Sequence, residues 1–142
     1  MIHSTTDGDY KFPGGGVQRG ENQAIALARE LREEAGRSPS RITALLGITI
    51  ELDIAPEHSR GNFRMVSFYY LCELDPGIHP QSLDRYEKTL GFTPAWVTPK
   101  EALDNNVCLY QRADSHGPFW LAREIAVLRE LSAMRCISGL SH

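Results

Sequence analysis

The stretch from Pro13 to Arg37 constrains this chain more than any other part of it. Pro13 and Gly14-Gly15-Gly16 remove both the helical and the ladder options, so the backbone there must be a loop. A helix follows from about Asn22 to Ala35, where Ala24, Ala28, Leu31 and Ala35 recur at spacings of four, three and four and form one apolar stripe. Gly36 supplies a left-handed stop, and Pro39 prevents any continuation. Projected at about 3.6 residues per turn, Glu30, Glu33 and Glu34 fall within an arc of about 100°. Like charges gathered so closely repel one another and cost stability unless cations compensate them. One side of the helix is therefore expected to be core, and the other a cluster of negative charge.

The remaining sequence fits around this helix as a single domain, which is what 142 residues normally make. In Gly47–Asp53, Ile48, Ile50 and Leu52 alternate with Thr49, Glu51 and Asp53, the pattern of a half-buried strand. Arg64–Leu74 is apolar or aromatic on both faces and predicts a strand covered on two sides. Ala55–Asn62 reads as a loop, and Asp75–Leu90, with Pro76, Gly77 and Pro80, as a loop holding one helical turn. Phe92–Val97 predicts a short strand. A helix start follows, with Thr98 as cap, Pro99 in the first turn and Glu101 closing a capping box. The last helix spans about Pro118–Met134, with Leu121, Ile125, Leu128 and Leu131 on one face and Arg123, Glu124, Arg129 and Glu130 mostly off it. That stripe reads equally as core or as the contact face of a homodimer. The order of elements predicts an α+β fold, a sheet packed between helices.

Composition narrows the function by exclusion. A net charge of −3 and a pI near 5.9 offer no basic surplus for nucleic acid or an anionic membrane. The first residues lack a signal peptide's basic start and apolar middle. Cys72, Cys108 and Cys136 make no C-x-x-C spacing, which disfavours a disulfide framework or a zinc knuckle and points to a cytoplasmic protein. The five histidines are too scattered to suggest a metal site. Trp96 and Trp120 have apolar neighbours that favour core packing over stacking on a base.

Chemistry concentrates in the acidic helix. Carboxylate oxygens are hard ligands suited to Mg²⁺ or Mn²⁺, which also take waters and substrate phosphates. Arg29 can reach Glu33 one turn on, and the glycines before the helix let a phosphate or a metal approach the backbone. Taken alone, Ala28–Arg37 also fits a solvated face laced with Arg–Glu pairs. The wider spacing is more specific. Gly15, five residues, Glu21, seven residues, and then Arg29-Glu30-Leu31-Arg32-Glu33-Glu34-Ala35-Gly36 resembles the Nudix box of Nudix hydrolases. Arg37 stands where that signature normally has an aliphatic residue. Tyr10–Gly15 resembles the family's approach to the box, and Phe92–Leu103 its strand-then-helix with a tryptophan.

The resemblance implies a Nudix-like α/β/α sandwich with a mixed sheet between helices. Only fourteen residues precede Gly15, so the first strand or strands are expected to be lacking, with Met1–His3 as the tail of one and the following residues as loop. The implied reaction is Mg²⁺- or Mn²⁺-dependent hydrolysis of a small nucleotide substrate, a nucleoside diphosphate linked to another moiety. By the same resemblance Glu30, Glu33, Glu34 and the Gly14 carbonyl are metal ligands, Arg29 orients them and Glu21 supports them. Glu33 or Glu34 is the base, and Glu87 is a further candidate. Gly14 and Gly15 meet the substrate, and Arg64 is a candidate phosphate contact beside them. A nucleotide-binding or regulatory module of the same fold, without turnover, is the alternative.

Overall fold

A computed structural model of the chain describes residues 1–53, 63–112 and 120–134. In chain order the elements are β1 (Ile2–Ser4), β2 (Tyr10–Lys11), α1 (Gln23–Ala35), β3 (Pro39–Asp53), β4 (Phe63–Leu74), α2 (Arg85–Leu90), β5 (Phe92–Pro94), α3 (Pro99–Arg112) and α4 (Leu121–Ala133). They fall into two units: β3 and β4 form one, and the other described elements form the second. Among the described residues no helix is long and apolar enough to cross a membrane.

In the larger unit β1 is the central strand of a three-stranded sheet, order β2-β1-β5. Both pairings are antiparallel, Ile2 opposite Lys11 and Pro94, and His3 opposite Tyr10 and Thr93. Residues expected as a strand's tail and its loop thus make a strand pair. The α+β class holds, and the strands among the described residues form two antiparallel sheets where one mixed sheet was expected. Ile2, Leu90, Phe92 and Trp120 form a buried cluster against which Ala35 and Leu83 pack. The α4 stripe is buried as expected, at Leu121, Ile125, Leu128 and Leu131. Trp120 lies in the core, whereas Trp96, expected there, is 84% exposed. The strand ends at Pro94, and after the Ala95 N–H bonds the Met1 carbonyl the chain leaves the sheet.

Helix α1 starts and stops where its sequence dictates. The Asn22 side chain caps the Ile25 N–H, and Gly36 adopts the left-handed conformation at φ 62°. Its buried positions are Ala26, Glu30, Leu31 and Glu34, while Ala24 is exposed. This corrects the expected orientation: two of the three clustered glutamates face inward. Residues 77–82 receive the helix end, with His79 N–H donating to Gly36 and Ser82 N–H to Glu33. Arg37, at the aliphatic position of the box, reaches the carbonyls of Pro76 and Gly77, both at 3.1 Å. Helix α3 opens with the expected capping box, since Glu101 Oε2 accepts the Thr98 N–H and Thr98 Oγ1 accepts the Glu101 N–H.

The second unit is an antiparallel hairpin that pairs Pro39 with Leu74 and Asp53 with Phe63 at its ends. Strand β3 begins eight residues earlier than its alternation suggests, because register shifts between Pro39 and Gly47 break the period of two. Strand β4 is not covered on two sides as expected. Ile48, Ile50, Leu52, Val66 and Phe68 share one face through the pairs Ile48–Phe68 and Ile50–Val66, and all five are exposed. The predicted loop Ala55–Asn62 lies outside the described residues, as does Cys136; Cys72 and Cys108 are free thiols.

Candidate active site

A buried charge is costly unless it is paired and hydrogen-bonded. The inward-facing glutamates of α1 meet that demand with two cations. Arg29 grips Glu21 with two bonds, Nε to Oε1 at 2.7 Å and Nη2 to Oε2 at 3.0 Å. Its Nη1 reaches Glu30 at 2.6 Å and Glu33 at 3.2 Å, and its Nη2 the Gly16 carbonyl at 2.9 Å. A planar guanidinium with five donors is suited to such a hub, which a lysine would not replace. Hydrogen bonding from Arg29, helped by the Gln18 N–H, holds the Glu21 carboxyl down at about 2, and the same contacts raise the Arg29 guanidinium above its ordinary value.

Glu34 has a separate set of partners. It is 1% exposed; Oε1 accepts from Lys11 Nζ at 2.6 Å and Oε2 from the Gly14 N–H at 2.8 Å. The Gln81 side chain donates to its backbone carbonyl. Burial outweighs the pull of Lys11 and the Gly14 amide and pushes the Glu34 carboxyl up to about 7, with Glu87 adding a smaller repulsion. Glu87 is on helix α2, not in a loop as expected, and there its Oε2 accepts the Asp84 N–H in a capping box.

The structure therefore brings Arg29, Glu30, Glu33, Glu21 and the Gly14–Gly16 loop together, with Glu34 bonded to the same loop. Gly15 packs so closely that a Cβ there would lie 2.5 Å from Glu30 Oε1. Among the described residues no three His, Cys, Asp or Glu side chains are arranged as a ready-made metal cage. Each α1 carboxylate has a partner, and Glu33 is the most open, its side chain 41% exposed. Arg64, the candidate phosphate contact, is an exposed residue of β4 in the hairpin unit.

The NUDIX domain family model matches residues 2–121. The chain belongs to the Nudix family. Comparison with curated proteins and with solved structures gave no match. Members of the Nudix family are generally hydrolases of pyrophosphate bonds that use divalent cations. The loop from Gly15 and helix α1 together carry the residues of the box, and the match extends over the three-stranded sheet, the hairpin and α3.

Four residues behind the Nudix box escape a reading of the sequence: Lys11, Asp9, Asn106 and Glu124. Asp9 and Glu124 are buried acids whose carboxyls are raised mainly by burial. Glu124, expected off the apolar face, is 2% exposed. With Glu34 they make three carboxyls that bind protons more tightly folded than unfolded, so acidification should favour folding. Their contribution is fully present below the unfolded values, near 4, and is lost as pH rises through the folded values, about 7 for Glu34. Glu34 alone corresponds to roughly 3 kcal/mol. In metal-free buffer Tm is expected to fall by several degrees between pH 5.5 and pH 8, and Glu34→Gln should flatten that slope. A Tm that rises over this interval would contradict the assignment.

Proposed function

We propose that this Nudix domain is a divalent-cation-dependent pyrophosphohydrolase whose substrate is a small nucleotide, a nucleoside diphosphate linked to another moiety. The observation that carries this reading is the Arg29 hub, which keeps Glu30 and Glu33 side by side beneath a loop with no side chain at Gly15. The donor set fits a hard cation: carboxylate oxygens from one helix face and the backbone of a glycine loop, which the absence of a side chain at residue 15 lets lie directly against the Glu30 carboxylate. Glu30, Glu33 and the Gly14 carbonyl would hold Mg²⁺ or Mn²⁺, with Glu34 beside them. When bound, the ion neutralises the diphosphate and lowers the pKa of a coordinated water.

The protein's own residues then divide the work. Arg29 orients Glu30 and Glu33 and keeps their mutual repulsion from spreading the pair. Glu33, the most open of the acids, is placed to take a proton from the attacking water. Lys11 and the Gly14 N–H fix Glu34, which ties the loop under the substrate to the helix. Glu87 remains a second candidate base, since its charge is felt at Glu34.

A phosphate-release screen across a nucleotide panel with Mg²⁺ or Mn²⁺ tests the reading. Turnover of at least one diphosphate-linked nucleotide is expected, together with a rise in Tm of several degrees on adding Mg²⁺. Absence of both would overturn it. The alternative, a nucleotide-binding module without turnover, is favoured by one observation: every α1 carboxylate is already engaged by Arg29, Lys11 or the Gly14 amide. Saturable nucleotide binding without phosphate release would select it.

A further inference from the structure

Segment Asp9–Phe12 pairs with β1 along one edge, where the Asp9 carbonyl accepts the Ser4 N–H at 2.9 Å. Alternation along a strand turns the backbone of Tyr10 and Phe12 the other way, and no strand lies there among the described residues. Unpaired backbone groups inside a protein must find partners. Two buried side chains supply them. Asn106 on α3, 0% exposed, accepts the Tyr10 N–H through Oδ1 at 2.9 Å and donates Nδ2 to the Tyr10 carbonyl at 2.8 Å. Glu124 on α4 accepts the Phe12 N–H through Oε2 at 2.9 Å, and its Oε1 is held by Arg123 Nε at 3.1 Å. Trp120 Nε1 anchors the start of the segment, donating to Asp9 Oδ2 at 2.7 Å.

The clamped segment leads directly into the site. Lys11 lies between the clamped Tyr10 and Phe12 and bonds Glu34 Oε1; two residues past Phe12, the Gly14 N–H bonds Glu34 Oε2. We propose that Glu124 and Asn106 are positioning residues, which fix the backbone of Tyr10–Phe12 and through it present Lys11 and the Gly14 loop to Glu34. As a statement about catalysis this rests on the hydrolase reading above. The hydrogen bonds of Asn106 and Glu124 described above go to the Tyr10–Phe12 backbone and to Arg123, none of them to an α1 carboxylate. Their hydrogen bonds act on main chain, for which an amide or carboxylate oxygen at position 124 serves equally; the Glu124 carboxylate adds a smaller attraction to Lys11.

The test compares wild type with Glu124→Ala, Glu124→Gln and Glu124→Asp, on the best nucleotide of the panel and by amide hydrogen exchange. Glu124→Ala is expected to lower kcat 10- to 100-fold with KM changed less than threefold. Its Phe12 and Gly14 amides should exchange at least tenfold faster. Glu124→Gln, which still offers an oxygen to the Phe12 N–H, should restore both. If Glu124→Ala does not fold, Glu124→Asp, one methylene short of the amide, should show the same pattern in a folded protein. Wild-type kcat in Glu124→Ala or Glu124→Asp, with the wild type turning over normally, overturns the inference alone. A wild type with no turnover overturns the hydrolase reading, and Gly14 exchange then decides the clamp: accelerated exchange upholds it and unchanged exchange refutes it.

Discussion

Glu33→Gln is expected to lower kcat about a thousandfold while leaving Tm within a degree or two of wild type. The two expectations have separate grounds. Glu33 is the most open acid of α1, and its contact with Arg29, at 3.2 Å, is longer than that arginine's ion pairs to Glu21 and Glu30. Exposed pairs of this kind contribute little to stability, about 0–1 kcal/mol. Glutamine keeps an acceptor for the Arg29 Nη1, and the backbone bond from Ser82 to the Glu33 carbonyl is untouched. What glutamine lacks is the negative charge that binds a cation and the basicity that takes a proton from water. A positioned proton acceptor alone contributes roughly 10²- to 10⁴-fold, so a loss smaller than tenfold would remove Glu33 from its proposed role. Glu34→Gln should behave in the opposite sense on stability. It removes a buried carboxyl raised to about 7, so at pH 8 that variant is expected to be at least as stable as wild type.

This contrast between two adjacent glutamates shows where the sequence was legible and where it was not. Local signals read well, because both partners lie within one helical turn. Gly36 with the last turn of α1, and Thr98 with Glu101, are of this kind. The α4 stripe reads for a related reason, since its apolar residues repeat at helical spacing. Burial of charge did not read. Glu30 and Glu34 align with Ala26 at spacings of four, a column that is buried only because Lys11, Gly14 and Arg29 supply partners. Glu124 sits beside Ile125 and between Leu121 and Leu128, inside the apolar arc, and that position was the available signal. Its partner, the Phe12 amide, is 112 residues away, and nothing in periodicity encodes a pairing across that separation. The exposed hairpin face misled the reading in the converse way. An apolar run states what a strand can bury, and among the described residues nothing buries this one.

The second large effect concerns the last glycine of the Nudix box. Gly36→Ala is expected to destabilise the fold by about 2–4 kcal/mol, by analogy with other substitutions at left-handed positions that also meet a backbone obstacle. Two costs coincide there. The φ of 62° is a conformation that alanine adopts at a penalty. A Cβ built on Gly36 would also overlap the His79 carbonyl oxygen, which belongs to backbone and has no rotamer by which to retreat. Moving His79 would break its N–H bond to Gly36 and strain the neighbouring bonds from Ser82 and Gln81 to the carbonyls of Glu33 and Glu34. The box glycine thus stops the helix and also seats residues 79–82 on the turn that bears the acids. Gly16→Ala is the control, since a Cβ there meets nothing within 4 Å. At about 2–4 °C per kcal/mol for a chain near this size, thermal unfolding should place Gly36→Ala roughly 5–15 °C below wild type and Gly16→Ala within a degree or two. Equal Tm values for the two variants would mean that residues 77–82 do not pack on the helix end as described.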